Sequence, residues 1–137
     1  MQVNSSLEKT NIILPISPIF ANRILSGEKK YEYRKQLCKK SINKIYIYAT
    51  SPIKRIVGEV EVVDKLNIDK EKLWKKTERY AGITKEFYDK YFANQTWACA
   101  YKLGQVKQFN SQISLDSIGI DYAPQSYVYI GELEFYC

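Results

Sequence analysis

Four stretches of this chain alternate apolar and polar residues with a period of two, separated by a basic loop, a tight turn and a longer helical insert. They are "KKYEYRK" (29–35), "KIYIYAT" (44–50), "RIVGEVEVVD" (55–64) and "WACAYKLGQVKQF" (97–109), each reading as a strand with one face turned to a core. A short apolar run, "NIILPI" (11–16), predicts a buried strand before them, and "APQSYVYIGELEFYC" predicts a turn or short helix at Pro124 and a last strand. Between the first two strands Ser17 can cap a helix with Pro18 at its first position, where no hydrogen bond is lost. Ile19 or Phe20, Ile24 and Leu25 follow at helical spacing, and Gly27 supplies a left-handed stop. Two further helices are expected over 69–77 and 84–92, the second capped by Thr84 with Phe87, Tyr88, Tyr91 and Phe92 inward, and "SLDSIG" (114–119) reads as one helical turn. Gly58 lies where a bulge or a close backbone approach would want a glycine. Five or six strands without regular βαβ alternation indicate an α+β fold, with a mixed or antiparallel sheet curled into a barrel and flanked by helices. Residues 1–10 read as a polar, flexible tail and residues 11–137 as a single domain.

Composition narrows the chemistry. There is no histidine among the 137 residues, which removes imidazole acid–base catalysis, histidine metal sites and Ser-His or Cys-His nucleophiles. Three cysteines, Cys38, Cys99 and Cys137, are odd in number and lack paired spacing, so neither a disulfide framework nor a CxxC metal site is expected. No metal or cofactor is anticipated. No apolar run approaches a membrane span, no secretory signal is visible, and the thiols fit a reducing cytoplasm. Net charge is +6, but between Arg23 and Arg55 ten lysines and arginines face two acids, a local +8 against −2 for the remainder. Such concentration favours a polyanionic partner such as RNA or another nucleic acid; the alternative is a lysine-rich solvated surface.

The candidate site lies in "GEKKYEYRK" (27–35). Glu32 and Arg34 are two apart on one strand and share a face, while Lys29 sits at the turn into it. With Tyr31 and Tyr33 facing the core, Glu32 and Arg34 face solvent or a cleft. A guanidinium can bind a phosphate or a base edge through two parallel bonds, and a carboxylate accepts from exocyclic amines. Periodicity alone equally allows a solvated ion pair on a wet face. Of twelve tyrosines, most fall at positions expected to pack, and Tyr48, at a strand end, is singled out as a stacking surface for a base. Trp74 and Trp97 read as core, Cys99 as a small buried apolar residue, and the basic loop "QLCKKSINK" (36–44) as a phosphate contact or a solvated turn.

The segments "ILPISPIFANRILSGEKKYEYRK", "KIYIYATSPIKRIVGEVEVVDKL", "GITKEFYDKYF" and "YAPQSYVYI" together resemble the ASCH (activating signal cointegrator homology) domain of the PUA-like superfamily. The signature Gly-x-Lys-x-x-Glu-x-Arg is matched by Gly27, Lys29, Glu32 and Arg34. Tyr48, Ala49, Ser51 and Pro52, with Val57, Gly58 and Glu59, extend the likeness. The resemblance implies a PUA-like barrel with a cleft beside the first helix, and binding of RNA or another nucleic acid. On this basis the ligand-binding set is Lys29, Glu32, Arg34, Tyr48, Ser51, Lys54 and Arg55. Some relatives are amidohydrolases acting on acylated cytidine, where a threonine stands three positions after the lysine. This chain has Glu32 there, and the nearest hydroxyls by segment are Thr50 and Ser51, with Glu78 as a possible acidic counterpart in the helical insert. If the chain is an enzyme, Lys29, Glu32 and Tyr48 are the catalytic candidates, for amide hydrolysis or RNA cleavage. The residues favour a binding module, with a protein-binding domain as a third reading.

Overall fold

A computed structural model of the chain describes residues 10–133. The expected flexible tail lies outside them except for Thr10, as do Cys137 and the last four residues. Six strands form one mixed sheet: β1 (Thr10–Ile16), β2 (Tyr31–Arg34), β3 (Ile42–Ala49), β4 (Arg55–Asp69), β5 (Trp97–Ile113) and β6 (Val128–Ile130), in the spatial order β2-β5-β4-β3-β1-β6. Only β1 and β3 run parallel; every other pair is antiparallel. Three helices accompany the sheet, α1 (Pro18–Leu25), α2 (Lys70–Thr77) and α3 (Lys85–Tyr91). The mixed α+β expectation holds. Barrel is a loose word for it, because β2 and β6 are edges with no ladder between them.

Side chains do what the ladder does not. Arg34 of β2 reaches across to the carbonyl of Pro15 on β1 through Nη2. The loop after β2 lies across the gap: the backbone N–H of Cys38 donates to Tyr101 Oη of β5 (2.9 Å), and that of Lys40 to Tyr129 Oη of β6 (3.1 Å). Lys65 Nζ closes the anchor on the carbonyls of Cys38 and Lys40. Edge strands left open invite pairing with other chains, and covering them with a loop is a recurrent solution.

Three apolar clusters follow from this curl. The first joins Ile12, Leu14 and Ile16 of β1, Ala21 and Ile24 of α1, Ile45 and Ile47 of β3, and Val57, Val60, Tyr101 and Leu103 of β4 and β5. The second packs Leu73, Tyr88 and Phe92 of α2 and α3 on Tyr33, Leu66, Ala98 and Ala100. The third covers the other face of β3, placing Tyr46 and Tyr48 against Ile13, Ile56 and Leu115. β3 is therefore buried on both faces over Ile45–Ala49.

Local signals place most ends. Asp69 caps α2 by accepting from the N–H groups of Glu71 and Lys72, and Thr84 caps α3 through Phe87 N. Gly27, at φ +87°, turns the chain out of α1 as expected. "SLDSIG" contains one 3-10 turn, Asp116–Ile118. The strands run longer than alternation suggests, because β4 and β5 carry register shifts near Gly58, Val60 and Val62 that break the period of two. At Pro124 the chain bends without forming a helix. Trp97 is 57% exposed rather than core, since β5 begins there two residues before β2 pairs with it. On α3, Tyr88 and Phe92 are buried but Phe87 is exposed.

Gly58 serves the close approach anticipated for it. A Cβ there would stand 2.7 Å from the Lys107 carbonyl oxygen and 2.8 Å from Leu25 Cδ2, so strand and helix meet over a missing side chain. Gly58→Ala should lower stability by about 1–3 kcal/mol through forced backbone movement, measured by urea unfolding; an unchanged midpoint would refute this packing.

Candidate functional site

α1, the start of β2 and α3 enclose a cleft of about 220 Å³, lined by Ile16, Ser17, Phe20, Lys29, Glu32, Tyr33, Arg34, Ile83, Phe87 and Tyr91. That is the room of roughly seven waters, on the scale of one planar ring system. Its walls are aromatic. Phe20 and Phe87 meet edge-to-face at 5.2 Å, and Phe87 and Tyr91 lie nearly parallel at 6.5 Å.

The floor is ionic. Lys29 is 2% exposed and Glu32 6%. Lys29 Nζ donates to the Ala81 carbonyl at 2.7 Å, stands 4.0 Å from Glu32 Oε1, and lies over the rings of Tyr33 (4.9 Å) and Phe20 (5.4 Å). Arg34 Nε donates to Glu32 Oε2 at 3.0 Å. A chain of ammonium, carboxylate and guanidinium thus runs from under α3 to the edge of β1. Burial holds Lys29 down to a pKa of about 8 despite the raising influence of Glu32, with Arg23 and Arg34 adding to the depression. Burial also raises the Tyr33 phenol, whose hydroxyl is paired with Thr77 Oγ1 at 2.6 Å.

Lys29 is trapped from above by the segment joining α2 to α3. Gly82, at φ +68°, passes so close that a Cβ would meet Lys29 Cβ at 2.4 Å, and Arg23 Nη1 pins its carbonyl at 2.8 Å. The hydrogen-bonding capacity left in the floor is specific. Glu32 Oε1 accepts no hydrogen bond from a described residue, and Lys29 keeps N–H groups beyond the one given to Ala81. Ser17 sits at the N-cap of α1 without the side-chain cap bond expected of it, so its hydroxyl is left to the cleft it lines.

Lys29, Glu32 and Arg34 converge in this hollow rather than in bulk solvent. Arg34 spends Nε on Glu32 and Nη2 on Pro15, so it positions the carboxylate as much as it faces a ligand. Tyr48 does not reach the cleft: it is 4% exposed and packs in the third cluster on the opposite face, covered by the segment around Leu115. Ser51 and Lys54 lie exposed on the turn after β3, and Arg55, also exposed, opens β4. That turn abuts the cleft end of β1, where Thr50 N donates to the Ile16 carbonyl at 3.0 Å, but none of the three lines the hollow. Glu78 is exposed at the end of α2, also outside the lining. The walls, Phe20, Phe87 and Tyr91, were not legible as site residues; the signal available was an apolar stripe on α3 wider than one core needs.

The ASCH domain family model matches residues 14–109, more than half of the chain. The chain belongs to the ASCH domain family. An "ASCH domain-containing ribonuclease" of Zymomonas mobilis is 29% identical over 97 residues, 70% of this chain and 66% of that protein. A crystal structure of ASCH from Zymomonas mobilis superposes with a TM-score of 0.83 at 27% identity, covering 90% of this chain and 89% of that one. An "ATP synthase subunit alpha" of Ureaplasma parvum is 25% identical over 128 residues, 92% of this ASCH chain but 16% of that protein. No described helix is long and apolar enough to cross a membrane, and no described group of three or more Cys, Asp or Glu residues could hold a metal ion.

The buried ammonium carries a pH signature. The unfolded chain holds the Lys29 proton up to about pH 10.5, while the folded state releases it near 8. Between these values the unfolded state binds more protons, so the Lys29 contribution to stability rises with pH. The stability of the wild type minus that of Lys29→Met should increase by on the order of 1–3 kcal/mol from pH 7.5 to 10. Urea titrations at several pH values measure it, and a flat difference would refute the burial argument.

Proposed function

We propose that this ASCH domain binds nucleic acid, RNA in the first instance, by seating one nucleotide in the Lys29–Glu32–Arg34 cleft. The observation that carries the reading is Glu32 Oε1, an oxygen of a carboxylate oriented by Arg34 on a buried residue, which accepts no hydrogen bond from a described residue. It stands beside an ammonium with donors to spare, in a cleft whose lining includes Phe20, Phe87 and Tyr91. An acceptor next to a donor suits the polar edge of a base, and the aromatic slot suits its faces. The name of the Zymomonas mobilis relative, a ribonuclease, supports an RNA partner. Lys54 and Arg55, exposed beside the cleft end of β1, suit the sugar–phosphate backbone, and a modified nucleotide is a ligand of the same kind.

Glu32→Ala supplies the test, because it raises the net positive charge while removing the proposed acceptor. Affinity for a short single-stranded RNA should fall about tenfold, the scale of one hydrogen bond to a charged group, with the salt dependence of binding unaltered. Fluorescence anisotropy at three salt concentrations reads both. Equal or tighter binding by the variant would defeat the proposal.

A second reading is hydrolysis, amide cleavage on an acylated cytidine or scission of RNA, and the feature favouring it is the Lys29 pKa of about 8. An amine titrating there can take and return a proton near neutral pH. Incubation with an acylated cytidine and with labelled RNA separates the two. A binding module leaves both intact, whereas turnover abolished by Lys29→Ala would establish the enzyme.

A further inference from the structure

Next to the cleft, outside its lining, two cations meet on one ring. Lys30 Nζ lies 4.5 Å from the centroid of the Tyr80 ring and the Arg79 guanidinium carbon 5.5 Å from it. All three side chains are exposed. Neither cation forms an ion pair with a described carboxylate, Glu78 included. Phe20 makes the contrast, since its two cations, Arg23 and Lys29, are paired with Glu28 and Glu32. Like charges gathered without a counter-charge repel, and the ring face offsets only part of that. The arrangement is held by backbone: Lys30 N donates to the Tyr80 carbonyl (2.8 Å), Leu103 N to the Lys30 carbonyl (2.9 Å), and Lys29 Nζ to Ala81. Consecutive residues therefore serve opposite sides of one thin wall, Lys29 inside the cleft and Lys30 outside it, with Gly82 keeping the wall low over Lys29.

We propose that Lys30 and Arg79, each held against the Tyr80 ring, form a phosphate clamp for the strand that leaves the cleft. The ligand is a backbone phosphodiester of the same single-stranded nucleic acid whose base occupies the cleft, so the inference rests on the function proposed above. A phosphodiester brings the missing negative charge, and its two free oxygens can accept from an ammonium and a guanidinium together. Tyr80 serves as the platform that sets the spacing of the two donors. Because one wall separates clamp and cleft, the contact falls on a phosphate adjoining the seated nucleotide.

The full chain is titrated with free nucleosides, which carry no phosphate, and with a single-stranded RNA decamer. In the double variant Lys30→Gln/Arg79→Gln, nucleoside affinity should stay within twofold. Decamer affinity should drop about tenfold at moderate salt, and the log–log salt slope should shrink by about 1.4, two contacts at ~0.7 each. Tyr80→Leu, which leaves the charge unchanged, should lose severalfold in decamer affinity. The charge-matched control Lys72→Gln/Lys107→Gln should lose distinctly less than the clamp variant. A clamp variant that binds the decamer like the wild type or like the control overturns the proposal and leaves the cleft reading standing. So does a wild type that binds the decamer no more tightly than a nucleoside. A wild type that binds neither overturns both.

Discussion

A buried ammonium sets the terms for this half of the molecule. Removing a charge such as that of Lys29 from water costs several kcal/mol after relaxation, and only well-placed partners offset it. Here they come from three places in sequence: the Ala81 carbonyl, the Glu32 carboxylate and two aromatic faces. Each partner fixes something larger. The bond to Ala81 ties the link between α2 and α3 to the turn before β2, and Gly82 can lie there because it has no side chain to collide with Lys29. Glu32 must then be held, and Arg34 holds it while spanning to Pro15. Cleft shape, wall position and sheet closure on that side trace back to one side chain kept out of water.

The cleft's position at the seam of the sheet has a related cause. A closed barrel satisfies its edge groups by pairing, whereas a sheet stopped short leaves polar backbone that something must meet. Between β2 and β1 that something is a guanidinium, and farther along it is the loop anchored by Tyr101, Tyr129 and Lys65. Side chains closing a seam leave gaps that a ladder does not, and polar groups already collected there can serve a ligand. The outer face of β3 at Tyr46 and Tyr48, where the third cluster covers it, offers no such place.

How much could be read in advance depended on how local the determinant was. Gly27, Lys29, Glu32 and Arg34 lie within eight positions, so one helix stop and one strand parity sufficed to bring them to one side. Tyr48 obeyed the same parity, yet the layer that buries it comes from Leu115 and its neighbours. No local pattern in "KIYIYAT" records that cover. Ser17 was legible as a helix start, but not as a hydroxyl without a cap bond, because nothing in the local sequence records the cleft it lines. Phe87 read as core since an amphipathic stripe does not distinguish a core from an apolar slot. Trp97 misled for the opposite reason: it opens a strand where no layer packs on it.

The charge excess between Arg23 and Arg55 divides the same way once it is folded. Lys44 goes to Glu59 and Glu132; burial pulls its pKa down, but the hydrogen bonds to Glu132 and Glu59 outweigh it and draw the pKa upward, and Lys35 and Lys40 lie on Tyr91 and Tyr129. Arg34 and Lys29 face inward. With Arg23, held by Glu28 and the Gly82 carbonyl, six of the ten basic residues that made the segment look like a polyanion surface are therefore engaged by the protein itself. Conversely, Arg79 lies outside the segment and joins Lys30 only through Tyr80. A run of positive charge in sequence predicts a field only where folding leaves the charges unpaired and adjacent. Here that condition is met at the ends of the cleft rather than along the basic loop.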